Sequence, residues 1–144
     1  MREAANEIVD VKECPGILII SHGDMAIGVH QSAQMIFGPQ QNFVALGLQE
    51  SDEPEAFGQK IGEWIERFEG QCIVFVDLMG GTPYNQLCMY AALNQKEIFA
   101  VAGMNLPMII EVMGQRSTKT CAELLDVALT MGKESVVDVA ALFK

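Results

Sequence analysis

The stretch Ile17-Leu18-Ile19-Ile20-Ser21-His22-Gly23-Asp24 decides how the rest of the chain is read. Four apolar residues, mostly β-branched, run straight into a polar tip. A continuous apolar run of this length, bounded by turn residues, predicts a strand buried on both faces. Gly23 and Asp24 break it, and Met25 to Phe37 follows with helical spacing. His22 therefore stands at the carboxyl end of a parallel strand, where the strand hands over to a helix. Ligands bind at that edge in open α/β sheets, so His22 is the first candidate for chemistry.

Working outward, the same alternation repeats. Residues 1–14 read as an N-terminal extension with some helical character, ended by Pro15-Gly16. In the first helix Ala26, Val29, Ala33, Ile36 and Phe37 share a face, with His30, Gln31 and Gln34 opposite, so His30 reads as a surface residue. Phe43 to Leu48 is a second strand. Ser51-Asp52-Glu53-Pro54 then starts a helix whose inner stripe is Phe57, Ile61, Trp64, Ile65 and Phe68. Cys72 to Asp77 is a third strand, and Pro83 suits the first turn of the helix after it. Glu97 to Ala102 is a fourth strand. Two more helices follow, from Asn105 and from Thr118, the second turning Leu124, Leu125, Ala128 and Leu129 inward; Ser135 to Val139 reads as a short last strand.

Strands alternating with helices imply an α/β fold, a single-domain sandwich with a mainly parallel sheet and helices on both faces. A flavodoxin-like order 2-1-3-4 makes the first and third strands neighbours. Their ends, His22 and Asp77, would then meet at one sheet edge.

Composition bounds the function. The 144 residues suit one domain; half are apolar and 19% are charged, which indicates a folded globular protein. A formal net charge of -10 argues against nucleic acid and against an anionic membrane surface, and favours a partner with a basic face. No apolar run approaches the roughly 20 residues needed to cross a bilayer. The N-terminus is too acidic and polar for a signal peptide, so a cytoplasmic location is expected. Cys14, Cys72, Cys88 and Cys121 lack metal-ligand spacing and read as small core hydrophobes; no metal and no cofactor are expected. The nine methionines read as core filler, apart from those at the strand ends.

A carboxylate on one ring nitrogen of His22 would fix its tautomer and leave the other nitrogen as a nucleophile. No activated serine or cysteine is evident for the histidine to serve. Gly80-Gly81-Thr82-Pro83 supplies the second half: paired glycines can point backbone N–H groups into an anion cradle, and the following helix offers its positive end. Ser21, Gly23 and Thr82 are further candidate phosphoryl contacts. Met25, Leu78 and Met79 could form an apolar docking rim. The set suits phosphoryl transfer. A Walker loop is excluded because no G-K-[ST] occurs.

These residues resemble the enzyme IIA domain of the mannose class of the bacterial phosphoenolpyruvate-dependent sugar phosphotransferase system. The likeness is carried by Ile17 to Gly23, by Val76-Asp77-Leu78-Met79-Gly80-Gly81-Thr82-Pro83-Tyr84-Asn85, and by Val101 to Met108 with Glu111. It runs in family order across roughly residues 16–140, within a domain spanning 15–144. The resemblance implies that His22 takes a phosphoryl group from the carrier protein HPr. His22 would pass it to a histidine of enzyme IIB, which phosphorylates a sugar as the membrane subunits import it. It further implies that Asp77 hydrogen-bonds the ring, that Thr82 contacts the phosphoryl group, and that the distal ring nitrogen is phosphorylated. It also implies a homodimer, in which Ser135 to Ala140 forms a C-terminal antiparallel edge strand, exchanged between subunits in known cases. The extension before Pro15 is longer than the family usually needs. Ending at Lys144 without a linker, the chain is expected to meet enzyme IIB as a separate polypeptide. The phospho-donor subunit of dihydroxyacetone kinase resembles this chain in its first-strand histidine, but the loop Asp77-Leu78-Met79-Gly80-Gly81-Thr82-Pro83 favours the sugar transporter. A regulatory module docking partners through the same face is the rival of a different class.

Overall fold

Residues 1–143 are described by a computed structural model. In chain order the elements are β1 (Arg2–Ala5), β2 (Gly16–His22), α1 (Met25–Phe37), β3 (Phe43–Leu48), α2 (Pro54–Arg67), β4 (Cys72–Val76), α3 (Thr82–Leu93), β5 (Phe99–Ala102), α4 (Leu106–Gln115) and α5 (Cys121–Glu134). A 3-10 turn at Ala140–Phe143 ends the described chain.

The two-residue period of a strand sorts the core. Ile17 and Ile19 of β2 face α1, α4 and α5, where they meet Ala26, Ala33, Ile109, Val112 and Leu124. Leu18 and Ile20 face α2 and pack with Phe57, Ile61, Trp64 and Leu87. Because both faces are covered, β2 is apolar at every position before Ser21, as a central parallel strand requires.

The sheet order is β1-β3-β2-β4-β5. Strands β3, β2, β4 and β5 are parallel and, counted from Gly16, run in the expected order 2-1-3-4. The edge differs. Ser135 to Val139 forms no strand, and the antiparallel edge strand is N-terminal: β1 pairs with β3 from Arg2↔Gly47 to Ala5↔Val44. A β-branched segment becomes a strand only where it finds an edge, and residues 136–139 find none here. Instead Asn105 holds the exit from α5, its amide donating to the Gly132 carbonyl (3.0 Å) and the Ser135 hydroxyl (3.3 Å).

The first fourteen residues are strand and loop rather than helix, and they are tied down. The Trp64 indole donates to Glu3 (2.7 Å), and the Asn6 amide donates to Gln34 and to the Gln40 carbonyl (both 2.7 Å). Buried Arg116 forks across the far end of the sheet. It donates to the carbonyls of Pro15 (3.0 Å), Asn42 (3.3 Å) and Gln41 (2.6 Å) and to the Gln40 side chain (3.0 Å).

Several burial assignments change. His30 is buried, not exposed, while Ile36 and Phe37 lie open. The imidazole stacks on Phe43 (centroids 4.4 Å apart) and both its nitrogens are satisfied, by the Phe43 carbonyl (3.4 Å) and the Gln34 amide (3.2 Å). Leu129 is exposed on α5, whereas Leu124 and Ala128 are inside. Of the cysteines only Cys72 and Cys121 are core; Cys14 is half-buried and Cys88 exposed.

Candidate functional site

Strands β2 and β4 lie side by side, Ile20 opposite Val76, and end at the same edge. There the Asp77 backbone N–H donates to the Ile20 carbonyl (3.2 Å), which aligns the two strand tips. The Asp77 carboxylate turns back across the gap. Its Oδ2 accepts from the His22 backbone N–H (2.8 Å) and meets the His22 ring at Nδ1 (2.7 Å). Its Oδ1 accepts from the Leu78 N–H (2.9 Å). A carboxylate only accepts, so Nδ1 carries a proton, and in the neutral ring Nε2 keeps a free lone pair. The Asp77 side chain is 8% exposed and that of His22 is 49% exposed. The carboxylate is thus enclosed while the imidazole faces outward.

The second strand-to-helix turn closes on the same ring. Gly80 adopts a left-handed φ of 92°, open to glycine at little steric cost. Gly81 then packs against the imidazole: a Cβ there would lie 2.9 Å from His22 Nε2 and closer still to Cε1. Gly81 is the N-cap of α3, so the ring lies against the start of that helix, the positive end of its dipole.

The other predicted residues are placed as follows. Ser21 is fully buried, and its hydroxyl accepts from the Ala26 N–H (2.8 Å), so it starts α1. Gly23 turns the chain away from β2, with its N–H on the Leu48 carbonyl (2.6 Å). Met25, the first residue of α1, and Leu78 are about half exposed and Met79 more so; Leu78 and Met79 lie in the β4–α3 loop. His30 lies on the inner side of α1 and takes no part in this edge.

Beside the ring lies a cavity of about 800 Å³, walled by the β2–α1 and β3–α2 loops. Two side chains meet Asp24 at its rim without any motif in the sequence to announce them. Arg2 donates to Asp24 Oδ2 (2.5 Å) and Gln49 to Asp24 Oδ1 (3.1 Å). Only the pairing of β1 with β3 brings an arginine so far upstream to this edge, so no local signal could have found it. Among the described residues no three His, Cys, Asp or Glu side chains are grouped to hold a metal ion. The arrangement can do one thing well: present an oriented imidazole nitrogen to an electrophile carrying anionic oxygens.

A family model described as "PTS system fructose IIA component" matches residues 16–129. The chain is 31% identical over 121 residues to the fructose-specific EIIA component of the PTS system of Bacillus subtilis (strain 168), covering 83% of this chain and 82% of that one. It is 27% identical over 119 residues to the sorbose-specific EIIA component of Lacticaseibacillus casei, covering 82% and 86%. In three dimensions it resembles the phosphotransferase system component EIIA from Streptococcus agalactiae, with a TM-score of 0.81 at 26% identity, over 88% of this chain and 98% of that one.

Proposed function

The chain belongs to the mannose-class EIIA family of the sugar phosphotransferase system, and from that premise we propose that it is a phosphocarrier whose acceptor is His22 Nε2. The observation that carries this reading is the 2.7 Å contact between Asp77 and His22 Nδ1, which in the neutral ring leaves the outward nitrogen free to attack.

The Nε2 lone pair attacks the phosphorus of phospho-HPr. The donor's P–N bond breaks and its electron pair returns to the donor ring. Because Nδ1 keeps its proton, the phosphorylated His22 ring carries positive charge, and Asp77 stabilises it. The same charge makes the ring a good leaving group when a histidine of enzyme IIB attacks in turn. Thr82 and the backbone around Gly80 and Gly81 hold the phosphoryl oxygens; Gly23 leaves the approach open, and Ser21 acts through α1 rather than by contact. Met25, Leu78 and Met79 form the apolar rim against which donor and acceptor dock. Such a rim suits partners that must bind and release quickly.

The protein works in the cytoplasm, passing phosphate toward membrane subunits that it does not replace; among the described residues no helix is long and apolar enough to cross a membrane. It acts as a homodimer, for which Val136, Val137 and Val139 offer an exposed apolar segment. Residues 15–144 form the carrier domain.

Incubation with phosphoenolpyruvate, enzyme I and HPr, followed by intact-mass measurement, tests the reading. One added phosphoryl group is expected, lost in mild acid and absent from His22→Ala. An unlabelled chain beside phosphorylated HPr, or a labelled His22→Ala, would refute it.

A further inference from the structure

The cavity beside His22 poses an electrostatic problem. Its ionisable lining is His22, Asp24 and Glu50, with no lysine or arginine, in a chain of net charge -10. A phosphoryl group brings further negative charge to this place. Something must offset Asp24, which stands two residues from the acceptor.

Arg2 does so from across the sheet. Its guanidinium binds Asp24 Oδ2, while Gln49 holds the other carboxylate oxygen. This cation is held by a strand and not by a loose tail. Arg2 pairs with Gly47, and Gly47 pairs with Ser21, so Arg2 lies two strand spacings, about 10 Å, from the residue before His22. Farther along, Glu3 is fixed by Trp64, and the Asn6 N–H donates to the Phe43 carbonyl (3.0 Å). Both members of the Arg2–Asp24 pair are about half exposed. A pair so placed adds little to stability, and its effect is on the local field.

We propose that Arg2 is a positioning residue for the phosphoryl group: carried to the site by β1, it neutralises Asp24 and so allows an anionic phosphoryl group to approach His22. The assignment rests on His22 being the acceptor. It gives the N-terminal strand a role in the reaction as well as in covering the β3 edge.

The test is the rate of phosphoryl transfer from phospho-HPr to the full chain at several salt concentrations, with melting curves run alongside. At low salt Arg2→Gln should accept the group about 3- to 10-fold more slowly, with the gap closing toward about 1 M salt. Adding Asp24→Asn to that variant should restore most of the rate, because the uncompensated carboxylate is gone. Arg2→Lys should stay within about twofold of the parent, since the charge is kept. Equal low-salt rates for the parent and Arg2→Gln would overturn the assignment. So would a slowing that Asp24→Asn fails to relieve, which would trace the loss to strand pairing. Failure of the parent chain to take any label is a separate result: it removes the His22 reading and takes the Arg2 assignment with it.

Discussion

Gly81 and the His22 imidazole are packed so closely that no side chain fits between them. A Cβ on Gly81 would lie 2.9 Å from Nε2, the nitrogen proposed to receive the phosphoryl group. Asp77 holds the opposite edge of the ring, so the imidazole sits between a carboxylate and a bare stretch of backbone. The glycine is needed here for close approach, since its own φ of -86° is open to any residue.

Gly81→Ala should therefore displace the ring without unfolding the chain. A misplacement of about 1 Å can cost about 100-fold in rate, and a loss of about 10- to 100-fold in phosphoryl acceptance is expected. Stopped-quench transfer kinetics from phospho-HPr, paired with a thermal melt, measure it. An unchanged rate would mean that the ring does not react in the position seen here.

Asp77→Asn keeps the shape and removes the charge. One Asp77 oxygen takes both the ring and the backbone N–H of His22, so the amide must give up at least part of that double contact. The loss of about 1–4 kcal/mol of transition-state stabilisation corresponds to a transfer rate lower by about 10–1000-fold. Single-turnover rates that agree within about twofold would reduce Asp77 to a residue that aligns two strand ends.

His30 sets a pH dependence of stability remote from the site. Burial lowers its pKa below the ordinary 6.5, with a smaller opposing pull from the Phe43 carbonyl. In the native state it is neutral, donating from Nε2 to Phe43 and accepting at Nδ1 from Gln34. The unfolded chain takes up the proton more readily. Stability from this group is therefore complete above about pH 6.5 and declines as the pH falls through 6.5 toward the lowered native value. Melting temperatures of the parent should fall over that interval more steeply than those of His30→Gln. Parallel curves would assign the dependence to other groups.

Arg116 should be the most costly surface-to-core lock to remove. Desolvation lowers its pKa, yet four acceptors from Pro15, Gln40, Gln41 and Asn42 surround the guanidinium. Arg116→Met strands those acceptors, and about 2–4 kcal/mol of unfolding free energy should be lost. Arg116→Lys should recover less than half, because an ammonium cannot reproduce the fork. Urea titration reads both, and a shift of less than about 0.5 kcal/mol would show that water replaces the bonds.

What could be read from sequence, and what could not, divides along a physical line. Runs such as Ile17 to Ile20 and Cys72 to Val76 specify buried parallel strands by themselves, and their order follows from alternation with helices. The meeting of His22 and Asp77 was legible because both end such runs. The helix stripe of α2 was equally plain, since Phe57, Ile61, Trp64 and Ile65 are large and regularly spaced. The α1 face departs from its apolar spacing because its inward polar residue, His30, is satisfied by Phe43 and Gln34, partners that only the fold supplies. The two ends of the chain were exchanged for the same kind of reason. Val136, Val137 and Val139 have strand composition without an edge in reach, whereas the charged Arg2 and Glu3 form a strand because β3 offers one. Arg2 beside Asp24 is a product of that pairing, and no short motif announces it.

If Asp77 fixes the proton on Nδ1 of His22, Nε2 is the atom phosphorylated. Proton–nitrogen correlation spectra of the nitrogen-labelled chain, recorded before and after phosphorylation by phospho-HPr, identify the modified ring nitrogen directly. A phosphorus-bearing Nε2 on His22, with the Nδ1 proton retained, is the predicted result. Phosphate on Nδ1, or on any residue other than His22, would contradict it.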